Sequence, residues 1–259
     1  MTALRYVYGI VPSSAAGSID AARLVGIDGS TVRALADGPF AAAQSELDPR
    51  EWGPDALNRN VADMEWLTPR AEAHQRVNAR LLDLAGAVLP LSFGTLYRDE
   101  ARVREMLRED AAARQARLDQ LSGRAEWVVT VVRGRDAAPA SDDDLSDLDR
   151  EIAASSPGRG YLLEKRRTRI ADAASERADA DAARRALDAL TGVSERTYRE
   201  PVATGGDDVV ALRVSLLAPR TDTERIAAAI GSLGEDLGAS GYRVRVSGPW
   251  PAYRFGSLP

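Results

Sequence analysis

EWVVTVV (126–132) is the stretch on which the reading of this chain turns. A strand with one wet face alternates apolar and polar residues. A run with almost no alternation suits a strand covered on both faces, at the centre of a sheet. Downstream comes a long, mostly helical region broken at SSPG (155–158), then VSERTYREPVA (193–203). The latter is polar on both faces and contains Pro201, as an edge strand would. DVVALRVSLLA (208–218) places Val210, Leu212, Val214 and Leu216 on one face. Thr221 and Glu224 have capping-box spacing ahead of a helix whose apolar stripe is Ile226, Ile230, Leu233 and Leu237. YRVRV (242–246) alternates again.

The order from residue 126 onward is therefore β-α-β-β-α-β, the ferredoxin-like arrangement. In it the first and third strands are central and the second is an edge, which agrees with the two apolar runs and the polar one. The sheet face turned away from the helices would carry Val128, Thr130 and Val132 with Ala211, Arg213, Arg243 and Arg245. An apolar centre flanked by arginines is expected to be covered by the other domain or by a partner.

Working toward the N-terminus, LRYVYGIV (4–11) alternates and reads as a half-buried strand with Leu4, Tyr6, Tyr8 and Ile10 on one face. STVRALADGPFAAAQSEL (30–47) reads as two strands around an Asp37-Gly38-Pro39 turn. A helix is expected over 55–67, and a second from Thr68 as N-cap with Pro69 in its first turn, carrying Val77, Leu81 and Leu84. AVLPLSFGTLY (87–97) reads as a strand broken near Pro90, at an edge or a bulge. A single helix over 99–121, closed by Gly123, completes this half. The expected fold is thus α+β with two domains and a helical connection. A small N-terminal α+β domain with a trailing helix spans 1–122, and a ferredoxin-like βαββαβ domain with an aromatic-proline tail spans 123–259.

The chain has 259 residues and a net charge of −5, which argues against nucleic-acid binding. It has no cysteine, which removes disulfide and thiolate chemistry and suits a cytoplasmic protein. Its start lacks the features of a signal peptide, and no run approaches a membrane span. Lys165 is the only lysine.

Residues that could carry chemistry are sparse. His74 is the single histidine, without a serine, cysteine or second histidine beside it in sequence, and reads as a structural histidine. One histidine and no cysteine leave no ordinary zinc site. SDDDLSDLDRE (141–151) lacks the mid-loop glycine and closing glutamate of a calcium loop and reads as acids gathered at a helix start. GRGY (158–161) is not a phosphate loop, and the loop in VVRGRDAAP (131–139) offers no phosphate cradle. EKRRTR (164–169) reads as a solvated helix face whose cations pair with nearby acids, with a binding role as its second reading. No catalytic, cofactor-binding or metal-ligating residue is expected.

The chain closes on SGPWPAYRFGSLP (247–259), with Trp250, Tyr253 and Phe255 among fixed prolines. The segment is expected to dock back as a plug over the end of the core. The alternative is a partner anchor, since Trp and Tyr are frequent binding hot spots.

Four stretches together resemble the gas vesicle protein F/L family, accessory proteins of the gas-filled buoyancy organelles of prokaryotes. They are RYVYGIV, then VLPLSFGTLY with DEARVREML behind a helical histidine, then GRGYLLEKRR, and the closing VSGPWPAYRFGSL. The resemblance runs along nearly the whole chain in the right order. It departs at Ser92, where the family often has arginine. It implies a non-catalytic assembly protein without cofactor, in the cytoplasm and associated with gas vesicles. Its partners would be the hydrophobic shell protein and other accessory proteins. Trp250, Tyr253, Phe255, Arg213, Arg243 and Arg245 are the candidate contact or structural residues. The competing reading is a ferredoxin-like regulatory protein that binds a small ligand in a polar pocket.

Overall fold

The computed structural model describes residues 3–134, 143–202 and 208–256. They form two compact units. One holds the chain up to Glu126, Pro219–Thr221, and the segment from Gly248 onward. The other holds Trp127–Ala218 and Asp222–Ser247. The cut at Glu126/Trp127 lies near the boundary read at 122/123. The closing segment, read as part of the second domain, clusters instead with the first unit.

The first unit is built on β1 (Leu4–Pro12). Helix α1 (Ala16–Ala22) follows it, then β2 (Arg33–Asp37) and β3 (Phe40–Leu47). Strands β2 and β3 form an antiparallel hairpin whose two-residue turn is Gly38-Pro39, with Asp37 opposite Phe40. Gly38 has φ +59°, a conformation that favours glycine. Strand β3 pairs with β1 from Leu4↔Leu47 to Pro12↔Phe40, with a register shift between Val7 and Gly9.

Two short helices, α2 (Pro49–Trp52) and α3 (Pro54–Asn60), lead into the 22-residue α4 (Met64–Ala85). The helix start expected at Thr68–Pro69 is displaced. Asp63 is the cap, its carboxylate accepting from Glu65 N–H at 2.9 Å, and Pro69 lies inside the helix. Proline there removes only one backbone bond near the helix start, and the capping carboxylate satisfies an otherwise orphaned donor.

The 87–97 segment is an edge in two pieces, β4 (Leu89–Pro90) and β5 (Leu96–Tyr97), both antiparallel to β1. The expected break is present. Leu91 N donates to Tyr8 O and Val7 N to Thr95 O, so Ser92–Gly94 loops out between two anchored ends. The single helix expected over 99–121 is two: α5 (Glu100–Arg108) and α6 (Ala111–Leu121), broken at Asp110 with φ +47°. The buried Arg114 guanidinium explains the break, because it donates to Leu107 O at 3.0 Å and to Glu109 O and so satisfies the carbonyls ending α5.

Strand β1 was expected to bury one face. It buries both, since α4 and α5 each pack against it and Tyr6 through Val11 are all inaccessible.

In the second unit, β6 (Arg124–Gly134) is followed by α7 (Asp143–Ala153) and the 35-residue α8 (Pro157–Thr191). Then come β7 (Arg196–Arg199), β8 (Asp208–Pro219), α9 (Thr223–Gly238) and β9 (Tyr242–Trp250). A four-residue helix, α10 (Tyr253–Gly256), ends the described chain in the first unit.

The sheet order is β7-β8-β6-β9. The two apolar strands sit at the centre and the polar β7 at an edge, paired antiparallel with β8 from Arg196↔Leu217 to Arg199↔Val214. The α9 stripe Ile226, Ile230, Leu233 and Leu237 is buried, and α9 packs beside the C-terminal part of α8, where Ala182, Ala183, Ala186 and Leu190 are buried. Small residues on that face of α8 allow the two helices to approach closely. The N-terminal part of α8 packs with α7. Of the acidic run at 141–151, the stretch from Asp143 lies in α7 and the rest lies outside the described residues, as does most of the 131–139 loop.

Candidate functional site

Four places are built from side chains that could act. The first is a polar-aromatic network inside the first unit. Tyr6, Tyr8, Trp52 and Phe93 gather around His74, with ring centroids 4.9 to 6.1 Å apart where they touch. His74 is 3% exposed. Its Nε2 lies 3.1 Å from Leu91 O and 3.0 Å from Asn78 Nδ2. Nδ1 lies 2.8 Å from the Tyr6 hydroxyl, whose oxygen accepts from Gly94 N–H at 3.2 Å.

Residues Leu91–Gly94 thus bring the Leu91 carbonyl and the Phe93 ring to His74 and the Gly94 N–H to its Tyr6 partner. Gly94 has φ +84°, which suits glycine. Burial pushes His74 down to about 4, against the Leu91 hydrogen bond. It is a neutral structural imidazole, as read from sequence, with both nitrogens occupied inside the core.

Asn78, one turn on, is fully buried and donates to His74 O at 3.3 Å. Its Oδ1 would lie 2.8 Å from a Cβ at position 9, so the glycine of RYVYGIV is required by the approach of α4 to the β1 bulge. Burial raises Tyr6 and Tyr253 above the tyrosine range, with Asn78 working in the opposite direction on Tyr253.

The second place is the C-terminal closure. Phe255 is 4% exposed, Tyr253 is half-buried with its ring 6.4 Å from His74, and Trp250 is half-buried. Arg254 N–H donates to the buried Glu126 carboxylate at 2.8 Å. A Cβ at Gly256 would lie 3.3 Å from both Leu121 and Pro90. Gly248–Gly256 groups with the first unit, with Phe255 and Gly256 buried there. Glu126 and Asn78 were not singled out in the sequence reading. Their signal was a lone polar group set in an apolar run or stripe.

The third place is the arginine flank. Arg243 and Arg245 both donate to Asp208, each at 2.7 Å, one to either carboxylate oxygen. Arg213 is exposed. The apolar centre is narrower than expected: Val132 is buried, while Val128, Thr130 and Ala211 are half-buried.

The fourth is a cleft beside β6 and α8 lined by Arg133, Ser175, Arg185, Ser240 and Tyr242, among others. Arg133 is 8% exposed, and its guanidinium grips Asp179 by two bonds of 2.9 Å, while Tyr242 donates to the same carboxylate at 2.8 Å. Burial opposes ionisation of Asp179, but its bonds to Arg133 and Tyr242 outweigh that and hold it below the carboxylate range. Burial and the neighbouring Asp179 push Tyr242 up to about 12. Arg133 and Tyr242 thus converge on the one Asp179 carboxylate.

Among the described residues no cluster of three potential metal ligands occurs, and no helix is long and apolar enough to cross a membrane.

The family model described as gas vesicle synthesis protein GvpL/GvpF matches residues 4–257. Gas vesicle protein L of Streptomyces sp. (strain CB03234) is 29% identical, covering 98% of this chain and 93% of its own length. Gas vesicle protein L2 of Halobacterium salinarum is 28% identical, covering 97% and 90%.

Crystal structures of gas vesicle protein GvpF share the fold. That from Anabaena sp. PCC7120 gives a TM-score of 0.67 at 15% identity over 100% of this chain and 98% of its own. That from Microcystis aeruginosa gives 0.69 at 17% identity over the whole of both chains. With motifs, fold and full-length match in agreement, the chain belongs to the gas vesicle synthesis protein GvpL/GvpF family.

Proposed function

We propose that this protein is a non-catalytic accessory factor for gas vesicle assembly, which binds the hydrophobic shell protein, other accessory gas vesicle proteins, or both. The observation that carries this is the family match along 4–257 together with a shared fold over the full chain. A second, physical observation supports the absence of chemistry. The only histidine is buried, neutral and hydrogen-bonded at both nitrogens, and the Arg133–Asp179–Tyr242 cluster is closed on itself. Neither offers a poised acid, base or nucleophile.

The need for such a factor follows from the shell. A wall that repels water on its gas side is built from subunits whose apolar surface is an aggregation hazard before assembly. A protein that offers a sheet edge or a mixed polar and apolar face can hold such a subunit transiently. Strand β7 and the face bearing Arg213, Arg243 and Arg245 are the proposed contact surfaces. The site of action is the cytoplasm, at the growing vesicle.

Co-purification from cells that make gas vesicles tests the reading. Recovery of shell or accessory gas vesicle proteins with the tagged chain is expected, together with loss of vesicles when its gene is deleted. Normal vesicles in the deletion strain and no gas vesicle protein in the eluate would remove it.

A further inference from the structure

We propose that the face of α8 formed by Leu162, Arg166, Arg169, Ile170, Ala173 and Arg177 docks an acidic amphipathic helix of a partner protein. The proposal rests on the assembly reading for the identity of the partner, but not for the chemistry of the surface. These six residues recur at offsets of 4, 7, 8, 11 and 15 from Leu162, which puts them on one side of the helix. Arg166, Arg169, Ile170, Ala173 and Arg177 line a shallow groove. At its N-terminal end Tyr161 and Leu162 are 64% and 65% exposed, an unusual display for large apolar side chains.

The charges show what the groove fits. Other arginines of this hairpin and helix are paired. Arg159 meets Glu151 at 2.6 Å, Arg167 grips Asp149, Arg184 meets Asp181 at 2.8 Å, and Arg185 pairs with Asp236. Among the described residues Arg166, Arg169 and Arg177 make no ion pair, although Asp172 and Glu176 belong to the same stretch of helix. Of the basic run 164–169, expected to pair with nearby acids, Arg167 alone does so among the described residues.

Three unpaired guanidiniums flanking Leu162, Ile170 and Ala173 call for carboxylates beside an aliphatic stripe. Arg166 to Arg177 spans about 16 Å of helix, three turns, which matches acidic residues repeating along one helix laid in the groove. Guanidinium forks pair with carboxylates in fixed geometry, so the surface selects acids over other polar groups. A nucleic acid or an anionic membrane would extend past the groove and meet the acidic remainder of a chain of net charge −5, whereas a short helix confined to the groove meets only its arginines.

The test uses the full chain and a fluorescein-labelled designed peptide of about 20 residues, with a leucine stripe flanked by glutamates, read by anisotropy. A matched peptide carries lysine in place of glutamate. Binding of the glutamate peptide only is expected, weakening as salt rises. Changing Arg166, Arg169 and Arg177 together to Glu should weaken it at least about tenfold, with unchanged circular dichroism because all three are exposed. Leu162→Ala should weaken it several-fold.

Equal binding of the lysine peptide overturns the proposal, as does indifference to the triple change. So does tighter binding to phosphatidylserine vesicles or to an oligonucleotide than to the glutamate peptide. The assembly role is judged separately. A triple variant that still co-purifies with every gas vesicle protein held by the unaltered chain overturns the docking face and leaves that role standing. An unaltered chain that holds none of them removes the role itself.

Discussion

Two motifs that carry the resemblance end in opposite environments. The closing segment puts Phe255 into the first unit at 4% exposure and ties Arg254 N–H to the buried Glu126. The GRGYLLEKRR stretch of α8 leaves Tyr161 and Leu162 about two-thirds exposed and two of its cations unpaired. In sequence both set aromatic and basic residues beside glycine. The difference is what surrounds them. The tail meets a built receptor of Glu126, Leu121 and Pro90, whereas the N-terminal part of α8 packs with α7. A motif seated in its own core is explained by stability, and one presented to solvent needs another explanation.

The contrast can be broken most forcefully at the tail. Phe255→Ala should destabilise the first unit by about 3–5 kcal/mol, read as a lowered denaturant midpoint, because it empties a buried aromatic site. A change within error would return the tail to the class of partner anchors.

Next is acid. His74 is held neutral with its pKa lowered to about 4, while in the unfolded chain it sits near its ordinary value of 6.5. The unfolded state therefore binds a proton that the folded state refuses. Stability complete above pH 6.5 falls as pH drops toward 4, by about 3 kcal/mol. His74→Gln should flatten the slope in that window, measured by urea unfolding at a series of pH values. An unchanged slope would mean carboxylates alone govern acid unfolding.

Gly9→Ala tests why RYVYGIV needs its glycine. A methyl group 2.8 Å from Asn78 Oδ1 should cost about 1–3 kcal/mol through displacement of α4. Smallest of all is the exposed face of α8. Changing Arg166, Arg169 and Arg177 to Glu should shift thermal stability by less than about 1 kcal/mol, since no pair is lost. A large loss there would make that face structural too.

Much of the second unit was legible because its signals are local. A strand buried on both faces needs an apolar run, an edge strand tolerates polar residues and a nearby proline, and α9 shows its buried stripe at helical spacing. The candidate sites were less legible. Arg243 and Arg245 were visible as cations, but Asp208, which binds both, lies 35 and 37 residues away. The unpaired state of Arg166 beside the paired state of Arg167 is set by which residues of α7 come within reach.

The chain by itself determined the α+β class, the central and edge positions of the strands in the second sheet, the two-residue turn at Gly38-Pro39, and a histidine without catalytic company. Those follow from periodicity and turn chemistry, which act over a few residues. Only the tertiary structure decided that Asp63 rather than Thr68 opens α4, that Arg114 ends α5, and that β1 is covered on both faces. It also grouped residues 248–256 with the first unit. Each of these depends on a partner distant in sequence or on a choice between two adequate local signals. Burial and hydrogen-bond satisfaction settle such choices only when the whole fold is in place.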